Sequence, residues 1–250
     1  MKRISAYVLL LVFLIASASC GPALEKRKED SAIHYRMGVI HLNDRNYADA
    51  LKELTEAVKI YPDDPSYHNA LGLAYFARGM NADAIREMKT SIELDPRFSE
   101  AHVNLSAVYM NEREFDKSIA SSRDALKNIF YRTPETAYHN VGWAYFYKDD
   151  FAASIDAFKK AVEARPNYAI GWYGLGNAFE KSGNAKAAAD AYEKAVKAAP
   201  DYLDAHYNLG LLYLKSKNNA SALKAFEKVK ELAPESEKGI SASDYIKLLK

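Results

Sequence analysis

The apolar positions between residues 31 and 236 recur with a period of about 34 residues. Each period has a small residue, usually glycine, at its eighth place and a second one, alanine or serine, at its twentieth place. A bulky residue commonly follows three places after the first small residue and four places after the second. Prolines close the successive periods at positions 62, 96, 134, 166, 200 and 234. Because small residues let helices approach closely and proline ends a helix, each period is predicted to form two packed helices.

This period resembles that of the tetratricopeptide repeat (TPR). The fifth period carries the pattern most completely, with Gly176, Ala188 and Pro200 at the expected places. The resemblance implies an all-α fold, a TPR solenoid of six helix-turn-helix repeats plus a C-terminal capping helix. The third repeat has two extra residues, which are predicted to lengthen the turn before the fourth. The predicted elements are repeats at 31–64, 65–98, 99–134, 135–168, 169–202 and 203–236 and a capping helix at 237–250.

The first twenty residues have the three parts of a secretory signal. A positively charged start is followed by an apolar run at residues 7–15 and by small residues that end before Cys20. The run is shorter than the ~20 apolar residues that a membrane span needs. Residues 1–19 are therefore predicted to be a signal peptide, and residues 20–30 a lipidated N-terminus and flexible tether.

The position of the one cysteine resembles the bacterial lipobox, in which the new N-terminal cysteine is acylated, for example with palmitate. The match departs from the common pattern at Ser17, where lipoboxes usually carry leucine. Ordinary export with cleavage after Ala18 is the alternative. Because several acyl chains on one residue anchor a protein durably, Cys20 is predicted to be the lipid attachment site. Gly21 implies the periplasmic face of the outer membrane, and a soluble periplasmic protein is the alternative.

Charge and cysteine content argue against several function classes. The chain has 34 basic and 33 acidic residues and a formal net charge of +1, so it lacks the basic footprint of a nucleic-acid-binding protein. A single cysteine cannot form an internal disulfide or build a typical zinc site. The sequence has no phosphate loop, nucleophile elbow or His-Glu metal motif. The protein is therefore predicted to have no catalytic site, metal, cofactor or small-molecule substrate.

Four histidines recur at the fourth place of a repeat, where the TPR pattern prefers tryptophan: His34, His68, His102 and His206. Equivalent residues of successive repeats lie along a solenoid rather than around one point. A packing role is therefore predicted for them instead of metal binding. The pair Lys159-Lys160 is predicted to lie on a solvated helix face.

In TPR folds the first helices of the repeats line an inner groove. The fifth place, which carries lysine in TPR domains that clamp a terminal carboxylate, holds no lysine in this chain. The groove is therefore expected to bind the apolar face of a helix or an extended hydrophobic segment. The alternative for part of these residues is packing between neighbouring repeats. The predicted groove residues are Tyr35, Phe76, Met110, Trp143, Phe146, Tyr147, Tyr173 and Tyr207.

A signal segment ending at cysteine, a short charged tether and six TPRs resemble the type IV pilus pilot and stability lipoproteins of the PilF/PilW type. The lengthened junction at residues 126–142 is similar to a segment that those proteins carry. The resemblance implies a membrane-anchored scaffold that binds a secretin subunit or another envelope protein and helps the pilus secretin reach the outer membrane and assemble. The alternative is a periplasmic TPR adaptor lipoprotein for cell-wall hydrolases or outer-membrane assembly factors.

Overall fold

The computed structural model describes the backbone of residues 2–250 and the side chains of residues 23–250. Thirteen α-helices and no strands occupy the described chain, so the predicted all-α fold class is confirmed. The helices are α1 (Lys2–Asn43), α2 (Tyr47–Ile60), α3 (Pro65–Ala77), α4 (Asn81–Leu94), α5 (Ser99–Asn111), α6 (Phe115–Ala125), α7 (Pro134–Tyr147), α8 (Phe151–Ala164), α9 (Ala169–Lys181), α10 (Ala185–Ala198), α11 (Leu203–Lys215), α12 (Asn219–Leu232) and α13 (Glu237–Leu249).

Helices α1 to α12 follow one another as six pairs, and the turn inside each pair has the same conformation. One residue of each such turn lies in the left-handed backbone region: Arg45, Gly79, Arg113, Asp149, Gly183 and Lys217. Neighbouring members of this series are 34 residues apart, except for a step of 36 residues from Arg113 to Asp149. The extra length lies in the α6–α7 connection at residues 126–133, whereas the α2–α3 connection spans only residues 61–64.

The first compact unit ends at Val108 and has its core where α1, α2 and α3 meet. Leu54 of α2 is fully buried at the centre of this core. It occupies the space that the missing side chain of Gly38 leaves, because a Cβ on Gly38 would lie 2.5 Å from Cγ of Leu54. The close approach of α1 and α2 therefore depends on glycine.

The second compact unit begins at Tyr109 and repeats this packing along its length. Its core clusters are built around Phe158, Tyr192 and Phe226, which are fully buried and occupy the same place in successive second helices. Each bulky side chain fills the space beside a first-helix glycine. The glycines are Gly142, Gly176 and Gly210. The predicted glycine contact between paired helices is therefore confirmed at these three places.

Helix α13 covers the apolar side of α12. Its residues Ala242 and Ile246 are buried in the cluster around Phe226. The ring of Tyr245 stacks on Phe226 with the centroids 4.7 Å apart. The aliphatic and aromatic side of this helix therefore buries surface that α12 would otherwise expose to water.

Residues 23–30 belong to α1, so the prediction of a flexible tether is wrong for this described part of residues 20–30. Arg27 gives the physical reason, since its Nε and Nη2 atoms donate to the carbonyl oxygen of Ile60 over 3.0 and 2.6 Å. This carbonyl stands at the C-terminal end of α2, where the helix leaves acceptors unpaired and favours a positive charge. The contact fixes the charged segment against the first helix pair.

The predicted signal peptide at 1–19 and the side chain of Cys20 lie outside the residues whose side chains the structure describes. Cleavage and acylation therefore stay predictions. Among the residues that are described, no helix combines the length and the apolar content needed to cross a membrane.

Candidate protein-binding surface

An aromatic cluster surrounds the C-terminal half of α7. It consists of Trp143, Phe146 and Tyr147 of α7, Phe115 of α6 and Phe151 of α8, and is called the α7 aromatic cluster below. The ring of Tyr147 stacks on Phe115 and on Trp143, with centroids 5.7 and 5.8 Å apart. Phe146 meets Trp143 edge-on at 5.1 Å and Phe151 at 5.7 Å. Three of the predicted groove residues are thus brought together.

The members of this cluster differ in how far they reach solvent. Tyr147 is 54% exposed, whereas Trp143 and Phe146 are half-buried against the core around Phe158. The ring of Trp143 meets that of Phe158 edge-on, with centroids 5.4 Å apart. Tyr147 is therefore the accessible edge of the cluster, and stacked neighbours hold its ring. An aromatic side chain that is ordered before binding loses little conformational entropy when a partner covers it.

His139 lies one helical turn before Trp143 and holds its indole through a hydrogen bond. Its Nε2 accepts a hydrogen bond from the indole Nε1 of Trp143 over 3.0 Å, so the proton of the neutral imidazole is on Nδ1. The rings of Phe158 and Tyr168 approach His139 edge-on at 5.8 and 5.7 Å. Burial among these rings lowers the pKa of His139 from 6.5 to about 4. The histidine, which looks isolated in the sequence, therefore positions Trp143 as a neutral acceptor.

Tyr173 of α9 and Tyr207 of α11 are tied into the packing of their helices. The ring of Tyr173 lies 5.7 Å from the buried ring of Tyr192, and its hydroxyl accepts a hydrogen bond from Asn208 over 3.4 Å. The hydroxyl of Tyr207 is 2.9 Å from Oγ of Ser241 on α13. Both tyrosines are half-buried, so each offers less surface to a partner than the edge of the α7 aromatic cluster.

The other predicted groove residues lie outside this cluster. Tyr35 of α1 stacks on Tyr67 of α3, with centroids 4.8 Å apart, and packs against the core of the first unit. Phe76 is half-buried near the end of α3, and Met110 is half-buried near the end of α5. Tyr35 therefore contributes mainly to packing between successive helix pairs, which is the alternative stated for part of the groove residues.

The fourth-place residues of the repeats contact the chain itself. Nε2 of His68 lies 2.9 Å from the carbonyl oxygen of Pro62. His102 and His206 make the same contact, over 3.0 and 2.9 Å, with the carbonyl oxygen of the proline six residues before each of them. Trp172 donates its indole N–H to the carbonyl oxygen of Pro166 over 2.8 Å. Because a carbonyl only accepts, these side chains serve as donors that tie a first helix to the preceding proline. The predicted packing role is confirmed for these three histidines.

In the part of the chain with described side chains, no group of three or more histidine, cysteine or acidic residues is placed to hold a metal ion.

Two clefts on the second unit lie beside the second helices, where the sequence predicted only a solvated face. One cleft of about 370 Å³ is bounded by α8, α9 and α10, and another of about 400 Å³ by α6, α7 and α8. In each cleft two cations stand over two aromatic rings, so the rings are already covered by this chain. The clefts therefore suit an apolar partner less well than the α7 aromatic cluster does. The cation–ring pairs are Lys159–Phe179, Lys194–Trp172, Arg123–Tyr145 and Lys160–Tyr138.

Comparison with known proteins places the fold among solved TPR structures. No curated protein matches the chain in sequence. The structure of Pseudomonas aeruginosa pilF is 16% identical, covers 88% of this chain and 99% of its own, and has a TM-score of 0.76. PilW, described as a widely conserved type IV pilus biogenesis factor, is 17% identical, covers 85% of this chain and 98% of its own, and has a TM-score of 0.77. MamA is 28% identical, with 70% and 98% covered and a TM-score of 0.58.

Sequence comparison with protein families gives a direct assignment. A family model of the tetratricopeptide repeat matches residues 69–129, 141–202 and 179–237, and a TPR repeat model matches residues 46–79. Together these matches cover more than half of the chain and follow the series of helix pairs. The chain therefore belongs to the tetratricopeptide repeat family, whose helix pairs serve as scaffolds for protein–protein interaction.

Proposed function

We propose that this protein is a TPR scaffold, anchored to the outer membrane by lipid, that serves type IV pilus biogenesis by binding a secretin subunit. The likeness in fold to PilF and PilW supports this proposal, because it extends over 85% or more of this chain and nearly all of both relatives. The long α6–α7 connection at 126–133 is also the lengthened junction that the resemblance to these lipoproteins led us to expect.

The observation that carries the binding role is the exposed edge of the α7 aromatic cluster. More than half of the Tyr147 side chain is open to solvent, although its ring is stacked on Phe115 and Trp143. Tyrosine and tryptophan dominate binding energy at many interfaces because they bury large apolar areas with few rotatable bonds. A ring already held in place is suited to receive the apolar side of a partner helix or an extended segment.

Replacing Tyr147 with serine is expected to weaken binding of the secretin subunit by about 2 kcal/mol, or roughly thirtyfold. The apolar surface of the partner would lose contact with the ring and would face the small polar side chain of serine instead. The melting temperature should change little, because the ring is more than half exposed and leaves only a small void. Isothermal titration of the full chain with purified secretin subunit measures the affinity, and circular dichroism measures the melting temperature.

Tyr138→Ser is the matched control for this experiment. Tyr138 stands nine residues before Tyr147 on α7, so at 3.6 residues per turn it faces the opposite side of the helix, where Lys160 covers its ring. This variant should bind the subunit as the wild type does. Equal losses in both variants, or no loss in Tyr147→Ser, would place the partner site elsewhere. A wild type that binds a cell-wall hydrolase and no secretin subunit would favour the adaptor function.

The anchor is tested separately through Cys20. Cells supplied with a labelled fatty acid should label the wild type, and Cys20→Ala should be unlabelled and lose durable attachment to the membrane. The reason is that acyl chains on the cysteine provide the durable part of membrane attachment. A wild type that carries no label and begins at Ser19 after export would show that ordinary cleavage takes place.

A further inference from the structure

The α6–α7 connection presents the two most exposed large apolar side chains among the described residues. Ile129 is 87% exposed and Phe130 is 82% exposed, although they stand next to each other in sequence. They occupy the one junction between helix pairs that is longer than the others. A contiguous apolar patch on the surface of a soluble protein often marks an interaction site. Their exposure therefore calls for a partner surface.

Hydrogen bonds hold this turn in a defined shape. The side-chain oxygen of Asn128 accepts from the backbone N–H of Phe130 over 3.0 Å, and its backbone oxygen accepts from that of Tyr131 over 3.1 Å. The hydroxyl of Tyr131 is 2.7 Å from Oγ1 of Thr136 at the start of α7. The turn is thus tied to itself and to the next helix. Ile129 and Phe130 form a fixed convex tip rather than a frayed end.

The size of the tip argues against a protein interface centred on it. Ile129 and Phe130 together expose on the order of 300 Å² of side chain. A stable protein–protein interface buries about 800 Å² on each partner. A lipid interface makes no such demand, because hydrocarbon accommodates any convex apolar shape and the gain grows with the area removed from water.

The charges beside the tip complement an anionic lipid surface. Lys127 and Arg132 are exposed and stand two residues before Ile129 and two residues after Phe130. The ammonium of Lys127 lies 2.6 Å from Asp124, but both groups are exposed, and such pairs contribute little. Basic residues on both sides of an apolar tip lie at headgroup depth when the tip enters the bilayer. Each then gains attraction to the anionic lipids.

We propose that the α6–α7 turn is a membrane-contact loop, in which Ile129 and Phe130 enter the interfacial region of an anionic phospholipid leaflet. Lys127 and Arg132 contact the headgroups above them. This contact is independent of acylation at Cys20 and of any secretin partner. It holds the second unit against a membrane at a point more than one hundred residues from the N-terminus.

A probe at the tip tests the proposal. In the full chain with Cys20→Ala, Ile129→Cys carries an environment-sensitive fluorophore. Addition of vesicles containing phosphatidylglycerol should shift its emission to the blue, and vesicles of phosphatidylcholine alone should shift it less. The matched control is Leu248→Cys on α13, which is 81% exposed and also stands beside lysines, but whose apolar neighbour Leu249 packs against the cluster around Phe226 and leaves no two-residue tip. Its fluorophore should stay in water even when other parts of the chain bind the vesicle.

Two further variants show whether the tip and its charges provide the binding. Phe130→Ser in the labelled protein should raise the lipid concentration at half-maximal shift roughly tenfold, because the largest inserted group is lost. Arg132→Glu should remove the preference for anionic vesicles. Circular dichroism should show the same helicity in all variants. An unshifted emission at position 129, an equal shift at position 248, or a shift that needs a protein partner and no lipid would overturn the proposal.

Discussion

Gly176→Leu should destabilise the second unit by about 3 kcal/mol, at the upper end of the usual range for an overpacked core. Even a Cβ at this position would lie 2.5 Å from Cδ1 and Cε1 of Tyr192, closer than packed side chains come. Tyr192 is fully buried, and its hydroxyl bonds to Glu180 over 3.0 Å and to Asn208 over 3.3 Å. The ring therefore cannot turn aside without losing these bonds. Leucine favours helix over glycine by less than ~1 kcal/mol, so the steric cost dominates.

Urea unfolding followed by tryptophan fluorescence measures this loss where it occurs, because both tryptophans, Trp143 and Trp172, lie in the second unit. Lys181→Leu is the control, since it adds the same side chain to an exposed position of α9. It should leave the unfolding midpoint nearly unchanged. Gly176→Leu combined with Tyr192→Ala should be more stable than the sum of the single effects, because the colliding ring is gone. Additive effects, or a Gly176→Leu variant as stable as the wild type, would contradict the packing.

The contact between Gly176 and Tyr192 could be predicted from the sequence because five of the six repeats obey the same steric rule. A small residue at the eighth place leaves a space, and the residue at the twenty-fourth place fills it. Gly142 with Phe158 is a second instance in the same unit. The rule depends only on spacing along the chain, and the same spacing recurs in several repeats of the sequence. This is why the helix pairs and their close packing were predictable without coordinates.

The turns inside the pairs could be predicted only in part. Gly79 and Gly183 indicate a left-handed residue, but arginine, aspartate and lysine occupy the equivalent position in the other four pairs. The left-handed conformation costs such residues roughly 1 kcal/mol. Packing of the two helices fixes the direction of the turn and outweighs that local cost. The ordering of residues 23–30 was not predictable either, because it depends on a hydrogen bond from Arg27 to a carbonyl 33 residues away.

The α7 aromatic cluster could likewise be predicted from the sequence only in part. The family register predicts Trp143, Phe146 and Tyr147, since they occupy first-helix places that line a groove. Phe115 and Phe151 begin second helices and join the cluster only through the packing of α6 and α8 around α7. No periodic rule connects them to a surface. The sequence therefore predicts the helix that carries the candidate site, and the structure supplies the residues that hold its exposed edge in place.

Acidification should destabilise the second unit through His139, by about 3 kcal/mol between pH 7 and pH 4. The pKa of this histidine is lowered by burial from 6.5 to about 4 in the folded protein, a difference of about 2.5 units at about 1.36 kcal/mol each. The folded state therefore holds His139 neutral while the unfolded chain takes up a proton. The stability that neutral His139 contributes is fully present above pH 6.5. It is lost as the pH falls from 6.5 towards 4, and it changes no further below pH 4.

The hydrogen bond to Trp143 makes this loss visible. In the neutral state, Nε2 of His139 accepts the indole N–H of Trp143 over 3.0 Å. Protonation would place a hydrogen on Nε2, so that this N–H and the indole N–H would face each other as two donors. His139→Gln keeps an acceptor oxygen for the indole and cannot titrate. Urea unfolding of both proteins at several pH values, followed by tryptophan fluorescence, gives the comparison, and carboxylates shared by both cancel in the difference. The free energy of unfolding should fall by about 3 kcal/mol more in the wild type between pH 7 and pH 4.

His68 provides an internal check on the sign of this effect. Burial alone would lower its pKa, but hydrogen bonds to Glu87 and to the carbonyl oxygen of Pro62 outweigh burial and raise it. Its contribution is therefore present at low pH and is lost as the pH rises through the raised value. His68→Gln lies in the first unit and should leave the acid response of the tryptophan signal as in the wild type. If His139→Gln and the wild type lose stability in parallel on acidification, His139 is not held neutral, and its support of Trp143 through an accepting Nε2 is wrong.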